Sequence, residues 1–333
     1  MKLLILGGTK FLGRHLVEAA RAAGHQVTLF NRGTRSGLFD DVEELRGDRA
    51  QGVDGLRALG GRRWDTVIDT CGYVPRLVRA SAQALRDSVG RYVFVSSISV
   101  YSDLADAPDE TSPVAELADP GSEDIPRDYG ALKAACERVV TALFGGRALN
   151  IRPGLIVGPY DPTGRFTYWP VRVARGGEVL APADPAAEVQ FIDARDLARW
   201  IVQLIARGVG GVFNATGPAQ RLRFDTFLET AARALGAQRR FTWVAADFLQ
   251  QEGVQAWTEL PLWVDDAPGL NRTRIARAID AGLSFTALER TVTDTFAWAE
   301  AELHARGPES LGAAGLKPEK EVRMLAAWAR RTI

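Results

Sequence analysis

The sequence predicts an α/β protein: a doubly wound parallel sheet with a smaller, discontinuous and mainly helical C-terminal substrate domain. Three observations carry this. Short, almost wholly apolar runs alternate with helix-like segments through residues 2–152. A glycine turn, Gly7-Gly8-Thr9-Lys10-Phe11-Leu12-Gly13, joins the first run to the first helix. The alternation then stops at a stretch rich in Gly, Pro and aromatics, 154–186, and resumes only briefly near 188–214. Apolar strands with intervening helices imply a parallel sheet covered on both faces, and right-handed crossovers wind it in two directions.

Element by element, strands are expected at 2–6, 26–30, 42–46 (weaker), 65–69, 91–96 and 147–152, with helices at 11–23, 50–59, 76–88 and 128–144. Leu12, Leu16, Val17, Ala20 and Ala23 give the first helix its apolar stripe. Asp128 is placed to cap the fourth helix, whose stripe is Leu132, Ala135, Cys136, Val139, Val140 and Leu143. Later strands are expected at 188–192 and 211–214, a helix at 194–207 and mainly helix over 222–305. The expected division is 1–153 with 187–221 for dinucleotide binding, 154–186 with 222–305 for substrate, and 306–333 as a tail carrying one helix.

Composition limits the function classes. Lys+Arg and Asp+Glu both number 41, so the formal net charge is zero, which argues against a general nucleic-acid binder. Two isolated cysteines, Cys71 and Cys136, make no disulfide framework, and three histidines without clustered cysteines leave no metal-ligand spacing. No apolar run reaches the roughly 18–20 residues of a membrane span, and a first strand starting at Lys2 leaves no room for a leader. A cytoplasmic protein is expected, without metal or membrane.

Strand, glycine turn and helix in that order form a phosphate cradle: glycine permits the tight turn, and the helix start offers free N–H groups and a favourable dipole. The second chemical signal is Tyr129-Gly130-Ala131-Leu132-Lys133. Residues four apart share a helix face. A phenol is a poor base at neutral pH, and a neighbouring ammonium lowers its pKa. Such a pair can move a proton at a substrate oxygen while a nicotinamide moves a hydride. Upstream, the strand 91–96 ends in Ser96-Ser97-Ile98-Ser99, where ligands bind in doubly wound sheets; Ser97 can hydrogen-bond a substrate oxygen, and Ser99 lies beside it.

With the glycine turn, Ser97, Tyr129 and Lys133 together, the chain resembles the extended branch of the short-chain dehydrogenases/reductases, the NAD-dependent epimerases/dehydratases with a Rossmann fold. Gln190 to Leu197 resembles that family's return segment, and Asn271 to Ala278 with Gly282-Leu283 its C-terminal part. The resemblance implies Tyr129 as acid/base, Lys133 as the group that orients the nicotinamide ribose and lowers the Tyr129 pKa, and Ser97 as the group that polarises the substrate oxygen. It also implies that Pro153 and Leu155 pass beside the nicotinamide, that Thr70-Cys71-Gly72 approaches the middle of the cofactor, and that Asp48 reaches the adenine. A helix-mediated homodimer is common in that family.

Three departures refine this. Lys10 stands where the family has a central glycine, and Gly-Gly-Thr-Lys-Phe-Leu-Gly resembles an atypical subgroup that includes the chloroplast stem-loop-binding proteins. About 20 residues beyond the glycine turn, where NAD-binding members place an acid, the chain reads Asn31-Arg32-Gly33 with Arg35 nearby. A guanidinium suits a 2′-phosphate, so NADP(H) is favoured, with NAD(H) as the alternative. Leu155 and Ser97-Ile98-Ser99 replace the groups that serve sugar-nucleotide members, so dehydration is not expected. Arg165, Tyr168 and Trp169 are candidate substrate contacts, with an aromatic core under a loop as the competing reading; Trp257 and Trp263 suggest an apolar lid or core. The expected activity is an NAD(P)-dependent reductase or epimerase acting at a secondary alcohol or ketone of a small molecule. The alternative is an RNA-binding or regulatory protein that kept the fold.

Overall fold

A computed structural model of the 333-residue chain describes residues 1–35, 37–264 and 267–331. Thirteen strands are described: β1 (Lys2–Leu6), β2 (Gln26–Asn31), β3 (Glu43–Arg46), β4 (Trp64–Asp69), β5 (Val89–Val95), β6 (Ala148–Pro153), β7 (Leu155–Val157), β8 (Gly177–Pro182), β9 (Glu188–Val189), β10 (Phe191–Asp193), β11 (Gly211–Ala215), β12 (Leu222–Arg223) and β13 (Arg239–Val244). The helices are α1 (Leu12–Ala22), α2 (Gly52–Gly55), α3 (Pro75–Leu85), α4 (Ile125–Phe144), α5 (Tyr168–Ala174), α6 (Ala194–Ala206), α7 (Phe224–Ala234), α8 (Ala246–Gln251), α9 (Ala276–Asp280), α10 (Leu288–Arg306) and α11 (Pro318–Arg331).

Seven strands form one sheet in the order β11-β6-β5-β4-β1-β2-β3, and every neighbouring pair is parallel. The apolar run Leu3 to Leu6 is buried on both faces. Leu3 and Ile5 face α1 and α6, packing with Leu16, Val17, Leu197 and Ile201. Leu4 and Leu6 face α3 and α4, packing with Val78, Leu85, Cys136 and Val140. Full burial of each such side chain stabilises the fold by about 1.5–3 kcal/mol. The order reverses at β1, with β2 on one side and β4 on the other, so the crevice above the carboxyl ends of β1 and β4 is the expected ligand position.

The second region is less helical than its composition suggests. β8 and β13 pair in parallel over six residues, β7 pairs with β10, and β9 with β12. Phe166, Trp169, Phe224, Phe227, Leu228 and Trp263 fill its core. The tail joins that core: Met324 is buried there with Leu325 and Trp328 against it, and Glu321 accepts from Arg172 Nε at 2.6 Å and Leu180 N at 3.0 Å. The helix expected over 50–59 is broken into short turns around α2. Gly55 packs against backbone there: a Cβ would lie 1.8 Å from the Asp48 carbonyl oxygen. Asp128 does not cap α4. The helix starts three residues earlier, Asp124 caps it by accepting from Arg127 N at 3.2 Å, and Asp128 sits at a kink with φ −110° and ψ 20°.

Candidate active site at the carboxyl edge of the sheet

The glycine turn is built for close approach. Gly7 and Gly8 have φ of 103° and 87°, and a Cβ on Gly13 would lie 2.8 Å from Gly8 Cα. Thr9, Lys10, Phe11 and Leu12 lead into α1, which has no acidic residue in its first turn and so presents its positive end to an anion. Lys10 needs no left-handed backbone; Phe11 takes it instead, at φ 38°. Lys10 is exposed; its carbonyl accepts from Gly13 N at 2.8 Å, and no hydrogen bond or ion pair engages its ammonium among the described residues.

At the end of β2, Asn31 Oδ1 accepts from Gly33 N at 2.7 Å, while its Nδ2 is buried without a partner. A buried unsatisfied donor is costly, and a bound ribose or phosphate oxygen would satisfy it. Arg32 and Arg35 are exposed and unpaired among the described residues. A third cation, Arg46 at the end of β3, is not foreseen from sequence. A Cβ on Gly33 would lie 3.1 Å from its Nε; the signal was the β2–β3 register, which sets Arg46 opposite Asn31. Asp48 caps the turn 49–51, with Oδ1 accepting from Ala50 N at 3.0 Å, so that oxygen is already committed to backbone.

Below the β4 end lies a buried ion pair that sequence reading missed. Asp69 is 0% exposed. It accepts from Arg49 Nη1 at 2.7 Å and Nη2 at 3.2 Å, from Tyr92 Oη at 2.9 Å and from Cys71 N at 3.1 Å. Burial works against the carboxylate, but the Arg49 charge and these hydrogen bonds together hold its pKa below the ordinary value. Arg49 Nη2 also reaches Cys71 Sγ at 3.2 Å. The network fixes the loop Thr70-Cys71-Gly72 against the glycine turn, with Thr70 Oγ1 donating to the Leu6 carbonyl at 2.9 Å. Cys71 touches solvent, yet desolvation by surrounding protein pushes its thiol up to about 11, so it is no thiolate nucleophile at neutral pH.

Lys133 is 3% exposed. Its Nζ donates to the carbonyls of Gly72 at 2.7 Å and Val95 at 2.6 Å, tying α4 to the ends of β4 and β5 and leaving one of three donors. Burial pulls its pKa down to about 8. Ser97, just past β5, is bonded through Oγ to Ser99 N and Ser99 Oγ, both at 3.1 Å. The Tyr129 phenol lies close enough to Ser97 for that hydroxyl to act on its ionisation. Gly130 lets α4 close on this turn: a Cβ there would lie 2.0 Å from the Ser99 carbonyl oxygen.

One expectation is overturned. The Tyr129 pKa is raised, not lowered: burial dominates, and the groups that pull it back are Ser97 and Arg165 rather than Lys133. The ammonium is tied to the two strand-end carbonyls, and it is not among the groups acting on the phenol. Tyr73, also unforeseen, completes the wall. Its ring lies 6.4 Å from that of Tyr129 and 5.1 Å from Lys133 Nζ.

Pro153 ends β6 in the core and Leu155, half-buried, begins β7. Between them, a Cβ on Gly154 would lie 2.3 Å from Thr216 Oγ1, itself a buried atom without a partner. Arg165 is half-buried and near enough to Tyr129 to act on its charge. Trp169 is not a substrate contact. It is 0% exposed, donates from Nε1 to the Pro261 carbonyl at 2.8 Å and packs on Phe224. Tyr168 also turns inward, onto the tail: a Cβ on Gly315 would lie 2.3 Å from its Cδ2. Both open α5, and the apolar core of the second region claims them. With the glycine cradle, the orphaned Asn31 Nδ2 and the Ser97, Tyr129 and Lys133 cluster on one edge, the residues present fit a nicotinamide dinucleotide.

A family model described as the NAD dependent epimerase/dehydratase family matches residues 50–216. The chloroplast stem-loop binding protein of 41 kDa b of Arabidopsis thaliana is 27% identical over 258 residues, 71% of this chain and 63% of that protein, so the chain spans less than two thirds of this relative's length. The 2′-dehydrokanamycin reductase of Streptomyces kanamyceticus is 29% identical over 251 residues, 71% of this chain and 67% of that protein. Among solved structures, WbmH of Bordetella bronchiseptica in complex with NAD+ superposes with a TM-score of 0.68 at 17% identity, covering 92% of this chain and 99% of that one. At that identity the likeness is one of fold. No helix among the described residues is long and apolar enough to cross a membrane.

Proposed function

The chain belongs to the NAD dependent epimerase/dehydratase family, within the extended short-chain dehydrogenases/reductases, and we propose that it acts there as an NADP(H)-dependent reductase of a small-molecule ketone. A bound nicotinamide dinucleotide supplies the hydride. Gly7 to Gly13 hold its pyrophosphate, Lys133 its nicotinamide ribose, and Asn31 with Arg32, Arg35 and Arg46 its adenosine end, where the three guanidiniums favour a 2′-phosphate.

The observation that carries the reading is the placement of the Tyr129 phenol beside Ser97 at the carboxyl edge of β5, with Lys133 anchored beside it. Burial keeps the phenol protonated at neutral pH, so Tyr129 donates the proton that the ketone oxygen needs as it becomes an alcohol. Ser97 donates its hydrogen bond to that same oxygen. A protonated phenol suits reduction better than oxidation, which favours a reductase over an epimerase. Similarity to 2′-dehydrokanamycin reductase supports the same choice.

The test is label transfer. NADPH deuterated at its transferable position is incubated with the protein and a panel of ketones. Deuterium in the alcohol product, with oxidised cofactor released in equal amount, is the expected outcome. Exchange of configuration without net cofactor oxidation would mean an epimerase. Failure to bind the cofactor, with salt-sensitive retention of an RNA stem-loop, would favour the RNA-binding alternative.

A further inference from the structure

We propose that the substrate carries a carboxylate, received by the Arg165 guanidinium with the Trp257 indole as its backing wall. This rests on the placement of the reacting oxygen beside Tyr129. Other arginines sheltered from solvent are satisfied: Arg49 pairs with Asp69, Arg152 with Glu137, Arg172 with Glu321, and Arg195 with Asp193 and Asp294, while half-buried Arg91, without an acid, donates to the carbonyls of Val209 and Gly208. Arg165 is half-buried as well, yet it forms no ion pair among the described residues. A sheltered cation is costly without a counter-charge.

The nearest acid, Asp161, makes no ion pair with Arg165, although its buried Oδ2 has no hydrogen-bond partner. Asp161 senses the Arg165 charge, but its Oδ1 accepts from Thr163 N and Thr163 Oγ1, both at 2.8 Å, closing the turn that precedes Arg165. The guanidinium instead lies 5.2 Å from the centre of the Trp257 ring, a distance suited to cation–π attraction. Trp257 holds that position with a backbone rarely adopted by a bulky residue, φ 64°, anchored by its N–H to the Trp263 carbonyl at 3.1 Å. Strain of this kind persists where the surroundings over-determine it, and its effect here is to hold an indole against the cation.

A single guanidinium beside an aromatic face can hold a planar carboxylate through two parallel hydrogen bonds. The Arg165 charge also reaches Tyr129. An anion seated on Arg165 therefore shields the phenol from that charge and favours the protonated donor when substrate is present.

The test uses full-length protein saturated with NADP+, which occupies the cofactor's own anion sites. Acetate, acetoacetate and benzoate are titrated calorimetrically against their neutral amides, with inorganic phosphate as a further arm. The carboxylates are expected to bind at least ten-fold tighter than the amides. Arg165→Gln should abolish that preference and Arg165→Lys should restore part of it, with unchanged unfolding midpoints. Equal binding of acids and amides, a preference that survives Arg165→Gln, or tighter binding of phosphate than of any carboxylate would overturn the proposal. Anion preference without hydride transfer would sink the reductase reading and leave this site standing; hydride transfer without anion preference would do the reverse.

Discussion

Replacing Lys133 with methionine separates chemistry from stability. Burial pulls the Lys133 ammonium from its ordinary 10.5 to about 8. At 1.36 kcal/mol per pKa unit, keeping it charged inside the fold costs about 3 kcal/mol. Methionine removes that cost but strips the Gly72 and Val95 carbonyls of their donor, a loss of about 1–3 kcal/mol for each buried group left unpaired. The two effects nearly offset, so Lys133→Met should unfold within about 2 kcal/mol of wild type at neutral pH while losing turnover. The pH dependence is more specific. A folded pKa below the unfolded one means that the unfolded chain binds more protons between pH 8 and 10.5, so stability rises with pH across that window and is lost again as pH falls through 8. Relative to Lys133→Met, which has nothing to titrate there, wild type should gain about 2 kcal/mol between about pH 7.5 and 10. Subtracting the variant cancels the tyrosines and cysteines that titrate in the same range. The assay is urea unfolding of both proteins at the two pH values. A difference that stays flat, or one that falls with pH, would refute the buried-ammonium account.

Three further substitutions probe other parts of the structure. Arg32→Ala should weaken NADP(H) binding at least ten-fold, about 1.4 kcal/mol, and leave NAD(H) nearly unchanged; equal losses by calorimetry would exclude a phosphate contact. Asp69→Asn leaves the buried Arg49 without its counter-charge and should cost about 3–5 kcal/mol in urea unfolding; a loss under about 1 kcal/mol would mean that its other partners, Ser81 Oγ and Cys71 Sγ, satisfy the guanidinium on their own. Trp169→Ala should cost about 3–5 kcal/mol of stability through its cavity with KM unchanged. A raised KM in a fully stable protein would restore Trp169 to the substrate cleft.

The sheet was legible because its strands are buried on both faces, which leaves unbroken apolar runs such as Leu3 to Leu6 and Val67-Ile68. The glycine turn and the cluster of Ser97, Tyr129 and Lys133 were legible because each sits at a strand end or on one helix face at fixed spacing. The second region was not. β8 is bounded by Gly177 and Pro182, and β13, although it carries the strand-favouring Phe241-Thr242-Trp243-Val244, opens on Arg239-Arg240 with a half-exposed face, so neither reads as an unbroken apolar run. Tyr168 and Trp169 illustrate a deeper limit, since an aromatic run before a helix reads alike whether it lines a cleft or fills a core. Arg49 and Asp69 look like ordinary loop and strand charges, and only the fold brings residues 20 apart into a buried pair. The Tyr129 expectation failed for a related reason: helical spacing put Lys133 on the right face, but the carbonyls of Gly72 and Val95, which come from two strand ends, decided where its ammonium points.

The central claim is that Tyr129 delivers the proton in a hydride-transfer reaction. Its most direct test is Tyr129→Phe, with cofactor affinity and turnover measured on the same preparation. The account expects NADP(H) to bind as in wild type while turnover falls by about a hundred-fold or more, the usual contribution of a positioned proton donor. Turnover within a few-fold of wild type would contradict it.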